Sequence, residues 1–175
     1  GDNNTDTISA VSINLSAFNG PVAIPATNAA GIWTATHPLQ AGVAGNNLNA
    51  SISAADNAGN ITTTASTANA TVDTLIPTVS SIAVSGSPAP GDASVAFTAT
   101  FNKPVTNIST DDFTLIGTGT ASGTISSVSA STGSSVNVNV SGITGTGTIK
   151  INLNGSTNIA DSVGNGPPAS FNSGG

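Results

Sequence analysis

The sequence lacks cysteine, methionine, tyrosine, arginine and glutamate, and it has a single histidine and a single tryptophan. Without cysteine, disulfides and thiolate metal sites are excluded. Long helices usually carry glutamate, lysine and arginine, so a chain with only two lysines is poorly suited to helix along nearly its whole length. A net charge of −6 without any arginine argues against a nucleic-acid partner.

Long apolar runs are missing as well. No stretch of about 18 apolar residues occurs, and the chain does not open with a basic segment followed by an apolar one. We therefore expect this piece to be soluble and without membrane contact, and we expect any export signal or anchor to lie outside it. Its 175 residues, of which only 6% are charged, leave room for one large domain or two of about 75–100 residues.

Strict alternation of apolar and polar residues recurs along the chain and predicts β-strands with one buried face. Turn sequences such as Asn19-Gly20 and Gly145-Thr-Gly147 separate the strands. Short strands at this spacing are typical of an antiparallel sandwich or barrel. The clearest alternating stretches are residues 11–15, 48–52, 95–101, 136–140 and 149–153.

A proline-containing segment, residues 72–78, interrupts this strand pattern. Because Pro77 cannot donate a hydrogen bond to a sheet ladder, we place a boundary there and predict two Ig-like β-sandwich domains, 1–76 and 77–175. The second should be a complete seven-stranded domain, and the first should be truncated at its N-terminus. The predicted strands are 7–16, 21–25, 31–36, 47–55 and 61–72 in the first domain, and 79–85, 94–101, 112–117, 122–130, 135–141, 147–153 and 168–172 in the second.

The two domains also share a short motif. Residues 55–60 and 160–165 both read Ala-Asp-x-x-Gly-Asn, about one sandwich repeat apart, and each copy precedes a final predicted strand. Two copies at domain spacing predict tandem repeats.

With these segments the chain resembles the bacterial Ig-like repeats of very large surface adhesins and biofilm proteins. The resemblance implies an extracellular location on the bacterial cell surface, a structural role as an extender, and neighbouring repeats of the same chain as partners. It also implies calcium at domain junctions, although the linker and the missing glutamates depart from the family pattern. The segments that carry it are 31–34, 55–60, 72–78, 97–105, 111–115, the Gly-Thr-Gly stretch at 117–119, and 159–165.

Loop positions suggest where such an ion would lie. In a seven-stranded sandwich the loops alternate between two ends, so loops 102–111, 131–134 and 154–167 should share the end at which the linker enters. That arrangement would bring together four acidic residues and one asparagine, and calcium prefers carboxylate and amide oxygens. The predicted Ca²⁺ ligands are Asp73, Asp161 and one of Asp111 or Asp112, with Asn165 or backbone carbonyls completing the set.

A simpler interpretation of the same residues needs no metal. Asp161 would accept backbone N–H bonds, Asn165 would adopt a left-handed conformation, and Asp111 would cap a short turn before Phe113. Both interpretations stay open on the sequence alone.

The remaining conspicuous residues indicate structure. Trp33 is expected to anchor the first core, and Phe97, Phe101 and Phe113 are expected to fill the second. His37, the only histidine, has no cysteine or second histidine near it, and no Gly-x-Ser-x-Gly elbow occurs, so we expect no catalysis.

The two lysines are the only residues that could form an intramolecular amide cross-link. Lys150 alternates with Ile149 and Ile151, so it should face solvent, whereas Lys103 lies in loop 102–111.

Three functions follow from these observations. The leading one is a non-catalytic spacer in a large adhesin. The second is an adhesive module that binds a glycan or another surface, which would need exposed aromatics or an ordered threonine array. Gly-Thr-Gly-Thr runs at 117–120 and 145–148 resemble such an array but fall at predicted turns. The third is a lattice domain like those of bacterial S-layers, with permanent lateral contacts.

Overall fold

Antiparallel strands and turns make up nearly all of the protein in a computed structural model that describes residues 7–173. The expected all-β class is confirmed. The chain divides into two compact units, Gly1–Leu75 and Ile76–Gly175, one residue before the boundary inferred from Pro77. Each unit forms its own sheets.

Residues 7–75 contain eight strands where the sequence predicted five. The strands are β1 (Ile8–Asn14), β2 (Ile24–Pro25), β3 (Thr27–Ala29), β4 (Ile32–Thr34), β5 (Ala44–Leu48), β6 (Ser51–Asp56), β7 (Ile61–Ala65) and β8 (Ala70–Asp73). They form one four-stranded sheet in the order β2-β1-β6-β7 and two antiparallel pairs, the hairpin β3-β4 and the long-range pair β5-β8.

Two of the predicted strands each divide into two. The prediction at 47–55 covers the end of β5 and nearly all of β6, and 61–72 covers β7 and most of β8. The chain bends at both breaks, and Asn49 bridges them by donating from Nδ2 to the Ser66 carbonyl at 3.0 Å. Strand β3 was missed because it is short and pairs with β4 through a turn at Ala30 and Gly31, which both have positive φ.

The second unit has the seven strands that the sequence predicted, with ends that differ by a few residues. Two of them, β10 and β13, are longer than expected at 12 residues each. Strands pair in the orders β12-β13-β10-β9 and β11-β14-β15. The bounds are β9 (Val79–Ser85), β10 (Ser94–Val105), β11 (Phe113–Gly117), β12 (Ser122–Val128), β13 (Gly133–Thr144), β14 (Ile149–Leu153) and β15 (Phe171–Asn172).

A continuous apolar core fills the second unit. Strand β10 contributes Phe97, Ala99 and Phe101, and Phe97 lies opposite Val138 of β13. The other sheet contributes Phe113, Ile151 and Leu153 to the same core. Each large side chain buried in this way stabilises the fold by about 1.5–3 kcal/mol. The three phenylalanines predicted for this core are confirmed.

The first unit buries far less. Within residues 7–75, only Val11 and Val43 are buried hydrophobic side chains, whereas Val22 and Ile61 stay 70% and 71% exposed. The expectation that Trp33 anchors this core is wrong: the indole is partly exposed, because β4 pairs only with the three-residue β3, where Asn28 lies opposite Trp33.

Candidate functional site

Three loops meet at one end of the second unit. The amide of Ile108 donates to the Ser131 carbonyl at 3.0 Å, and the amide of Thr106 donates to the Ala160 carbonyl at 2.7 Å. These bonds join the loops that follow β10, β12 and β14. The predicted convergence of the three loops within this unit is confirmed.

The Asp161 carboxylate organises the longest of these loops. Its Oδ1 accepts the amides of Val163 at 3.0 Å and Asn165 at 2.9 Å, and its Oδ2 accepts the Asn165 side-chain Nδ2 at 2.9 Å. The Asp161 amide donates to the Asn165 carbonyl at 3.0 Å, which closes the turn. Gly164 takes the left-handed conformation (φ 91°) that the simpler interpretation gave to Asn165.

Lys103, from the end of β10, is the cationic partner of this carboxylate. Its Nζ lies 2.6 Å from Asp161 Oδ2, and the Asp161 side chain is only 3% exposed. Burial by itself raises the pKa of Asp161, but the bonds from Lys103, Asn165 and the backbone amides outweigh it and hold that pKa well below its usual range. Asp161 is therefore an ionised carboxylate inside the protein.

The sequence did not identify this ion pair. The sequence assigned Lys103 to loop 102–111, but it lies within β10 (Ser94–Val105), and it was considered only for a covalent cross-link. Its position near the C-terminal end of β10, at the same end of the unit as Asp161, was the available signal. A buried carboxylate requires a charge or several hydrogen bonds, so the lysine at that end was the natural partner.

The paired aspartates at 111 and 112 have different environments. They lie in a 3₁₀ turn, Thr110–Asp112, in which Asp112 is buried and Asp111 is exposed. Asp112 Oδ2 accepts the amide of Ser109 at 2.8 Å and its hydroxyl at 3.0 Å, and the Ser109 side chain accepts the backbone amide of Asp112, which completes a capping box. A capped turn before Phe113 is thus present, and its capping acid is Asp112 where the sequence suggested Asp111.

Asp73 ends β8 of the first unit. It lies opposite Ala44 in the β5-β8 pair, and its Oδ1 accepts the Leu75 amide at 3.0 Å. The predicted ligand set is therefore divided between the units, with Asp73 in the first and Asp111, Asp112, Asp161 and Asn165 in the second.

The first unit repeats the Asp161 turn almost atom for atom. Asp56 Oδ1 accepts the amides of Ala58 at 2.9 Å and Asn60 at 2.8 Å, and its Oδ2 accepts Asn60 Nδ2 at 2.8 Å. Gly59 has φ 90°, matching Gly164. These bonds lower the pKa of Asp56, with the Asn60 side chain the largest cause. The shared motif in the sequence therefore encodes one turn built twice.

Two of the predicted ligands, Asp161 and Asp112, fit a calcium ion poorly. Asp161 already accepts four hydrogen bonds, one of them from a cation, and Asp112 Oδ2 accepts two. Calcium needs six to eight oxygen ligands with available lone pairs. Across residues 7–173, no group of three or more histidine or acidic side chains is arranged to hold a metal ion. The calcium site remains a prediction from the sequence.

The environment of Lys150 differs from the prediction. This lysine is partly buried rather than facing solvent, and its Nζ donates to the Ser173 carbonyl at 3.1 Å. The short strand β15 leads the chain across this part of β14, and that covering segment could not be read from the alternation of β14 itself.

Two clefts of the second unit offer little chemistry. One of about 360 Å³ is lined by Val84, Phe97 and Ile149 and contains Asp92; another of about 350 Å³ shares those side chains and contains Lys150. A lone acid or a lone lysine does not supply the paired nucleophile and base that covalent catalysis requires.

In the described part of the chain, no helix is long and apolar enough to cross a membrane. Comparisons with protein families, with curated proteins and with solved structures found no match to this chain.

Proposed function

We propose that this chain is a piece of a tandem Ig-like array that acts as a structural spacer in a large, extracellular bacterial adhesin. The observation that carries the proposal is the turn built twice: Asp56 and Asp161 make the same set of bonds with residues two and four positions later. A turn that recurs once in each compact unit supports a tandem array.

The use of the charged side chains supports a structural role. Asp56, Asp112 and Asp161 close turns, and Lys103 neutralises one of them. Two strands of the second unit, β10 and β13, have 12 residues each, and at about 3.4 Å per residue each spans about 40 Å. Charged side chains used to close turns, together with two long central strands, suit a module whose role is to span distance.

Light scattering coupled to size-exclusion chromatography tests the spacer. We expect a monomer at all accessible concentrations, because a spacer contacts its neighbours through the chain and not through lateral surfaces. Concentration-dependent oligomers would contradict this and favour the lattice alternative.

One observation favours the adhesive alternative. Exposed hydroxyls face each other in a row of cross-strand pairs, Thr118 with Thr148 at 2.9 Å, Thr120 with Thr146 at 3.3 Å and Ser122 with Thr144 at 3.0 Å. The two Gly-Thr-Gly-Thr runs lie at turns and bends, as predicted, and their hydroxyls also pair across these segments in an ordered row. Such a row could contact a sugar or another hydroxyl-rich surface.

A glycan array separates this alternative from the spacer. The spacer predicts no bound glycan. A signal lost in Thr118→Val and kept in Ser80→Ala, an exposed position on β9, would support the adhesive module instead.

Calcium rigidification of the junction is tested by thermal unfolding with added calcium or chelator. A junction ion predicts a Tm that rises with calcium and falls with chelator. A Tm unchanged under both conditions removes calcium from the proposal and leaves the spacer intact.

A further inference from the structure

The buried carboxylate of Asp161 requires a compensating charge. Its side chain is 3% exposed, and an ionised carboxylate removed from water is strongly unfavourable unless it is paired and hydrogen-bonded. Asp161 Oδ2 receives Lys103 Nζ at 2.6 Å and Asn165 Nδ2 at 2.9 Å, and Oδ1 receives two backbone amides. The four acceptor positions of the carboxylate are therefore occupied by protein donors.

The equivalent turn of the first unit shows what the lysine adds. Asp56 makes the same three hydrogen bonds within its turn, but it is partly exposed to water. Water screens a partly exposed charge, so hydrogen bonds suffice there. The turn geometry is common to both units, whereas the buried copy is the one paired with Lys103.

We infer that Lys103 takes the place of a divalent cation at this end of the second unit, so that the Asp161 turn closes without a metal. The ammonium group sits on the carboxylate oxygen where a metal would have to coordinate. It also joins the end of β10 to the loop between β14 and β15, which a bridging ion would otherwise do. The ion pair between Lys103 and Asp161 then holds this end of the unit together at any calcium concentration.

Thermal unfolding of four variants tests the inference. Lys103→Gln removes the charge and should lower Tm by at least about 5 °C, because it leaves Asp161 buried and unpaired. Lys150→Gln is the matched control, since its Nζ donates to a carbonyl oxygen, and its loss should be clearly smaller. Adding Asp161→Asn to Lys103→Gln should recover part of the lost Tm, and Asp161→Asn alone completes the cycle.

Lys103→Arg keeps the inference testable if the Lys103→Gln variant does not fold. Because it keeps the positive charge, it should fold and unfold cooperatively even if Lys103→Gln does not. Equal losses in Lys103→Gln and Lys150→Gln would overturn the inference, and so would a double variant no more stable than Lys103→Gln.

Thermal unfolding in the presence of calcium is the second test of the inference. The inference predicts that Asp161→Asn leaves any calcium response of Tm unchanged, because the ion does not use that carboxylate. A calcium-induced rise in Tm that disappears in Asp161→Asn would place the metal on Asp161 and overturn the inference. An intact mass lower by one water, with the loss mapped by peptide mass spectrometry to a Lys103–Asp161 cross-link, would also overturn it, because Lys103 would then be an amide and not an ammonium ion.

Discussion

The two units are made of the same residue types and the same alternating strands, yet they bury their side chains very differently. Thirteen hydrophobic residues form the core cluster of the second unit, whereas Val11 and Val43 are the buried hydrophobic residues of the first among residues 7–75. The second unit places phenylalanine, isoleucine, leucine and valine at inward positions on two facing sheets. The first leaves large side chains such as Ile32 and Ile61 exposed and divides its strands among one sheet and two short pairs. Alternation therefore predicts strands, but a core forms only where two sheets pack their large residues against each other.

Expressing the two units as separate proteins should give the largest difference in stability. We expect residues 76–175 to unfold in a sharp transition and residues 1–75 in a broader one at clearly lower temperature, because two buried valines offset far less of the conformational entropy. Circular dichroism melts and the dispersion of amide proton signals measure both. Equal transition temperatures for the two pieces would show that burial is a poor guide to their stability.

Truncating one core residue in each unit sharpens the same contrast. Phe97→Ala should cost about 3–5 kcal/mol of unfolding free energy, because Phe97 is 3% exposed and lies opposite Val138. Val11→Ala in the first unit should cost about 1–2 kcal/mol, because it removes fewer buried methyl groups. Denaturant titrations followed by circular dichroism give both values. Equal costs would mean that the two units are packed alike.

Glycine substitutions compare the turns of the two units. Gly147 has φ 141°, and a Cβ there would clash with the Thr118 carbonyl oxygen, so Gly147→Ala should cost about 3 kcal/mol. Gly31 also has positive φ, at 85°, but a Cβ there would meet nothing within 4 Å. Gly31→Ala should therefore cost about 1 kcal/mol, from backbone strain alone. Chemical denaturation measures both, and a Gly147→Ala variant as stable as Gly31→Ala would show that the row of paired hydroxyls can separate easily.

Acid should affect the two repeated turns to different extents. The folded-state pKa values of Asp56 and Asp161 are both lowered, so each stabilises the fold above the pKa of about 3.9 of an unfolded aspartate and loses that effect as the pH falls below it. Asp161→Asn should flatten the fall in Tm between about pH 4 and pH 2 more than Asp56→Asn does. Tm measured at several pH values checks this, and identical profiles for the two variants would contradict it.

The sequence predicted the second unit closely because its signals were strong. Three clearly alternating stretches, 95–101, 136–140 and 149–153, and turn sequences with glycine, proline or asparagine marked its seven predicted strands, and large residues marked the inward face. Loop convergence followed from strand count alone. The first unit was predicted less well, since β3 and β4 have three residues each and depend on the turn at Ala30 and Gly31. No local pattern distinguishes so short a hairpin from a loop.

The candidate site was predicted in position but not in bonding. Sequence reasoning brought Asp112 and Asp161 to one end of the second unit, and the structure agrees. It could not show that Ser109 holds one and Lys103 the other, because those contacts depend on side-chain direction and burial. The spacing of residues along the sequence does not show that the Asp161 carboxylate accepts four hydrogen bonds.

The short last strand has a mechanical consequence for a chain under tension. Strand β15 is held to β14 by two residue pairs, Asn152 with Asn172 and Leu153 with Phe171, whereas β9 is held to β10 by six. A pull on the two ends of the second unit loads these strands, and β15 should peel away first. Detachment of β15 would release a short segment of chain, so that the unit lengthens and absorbs mechanical work before its apolar core opens.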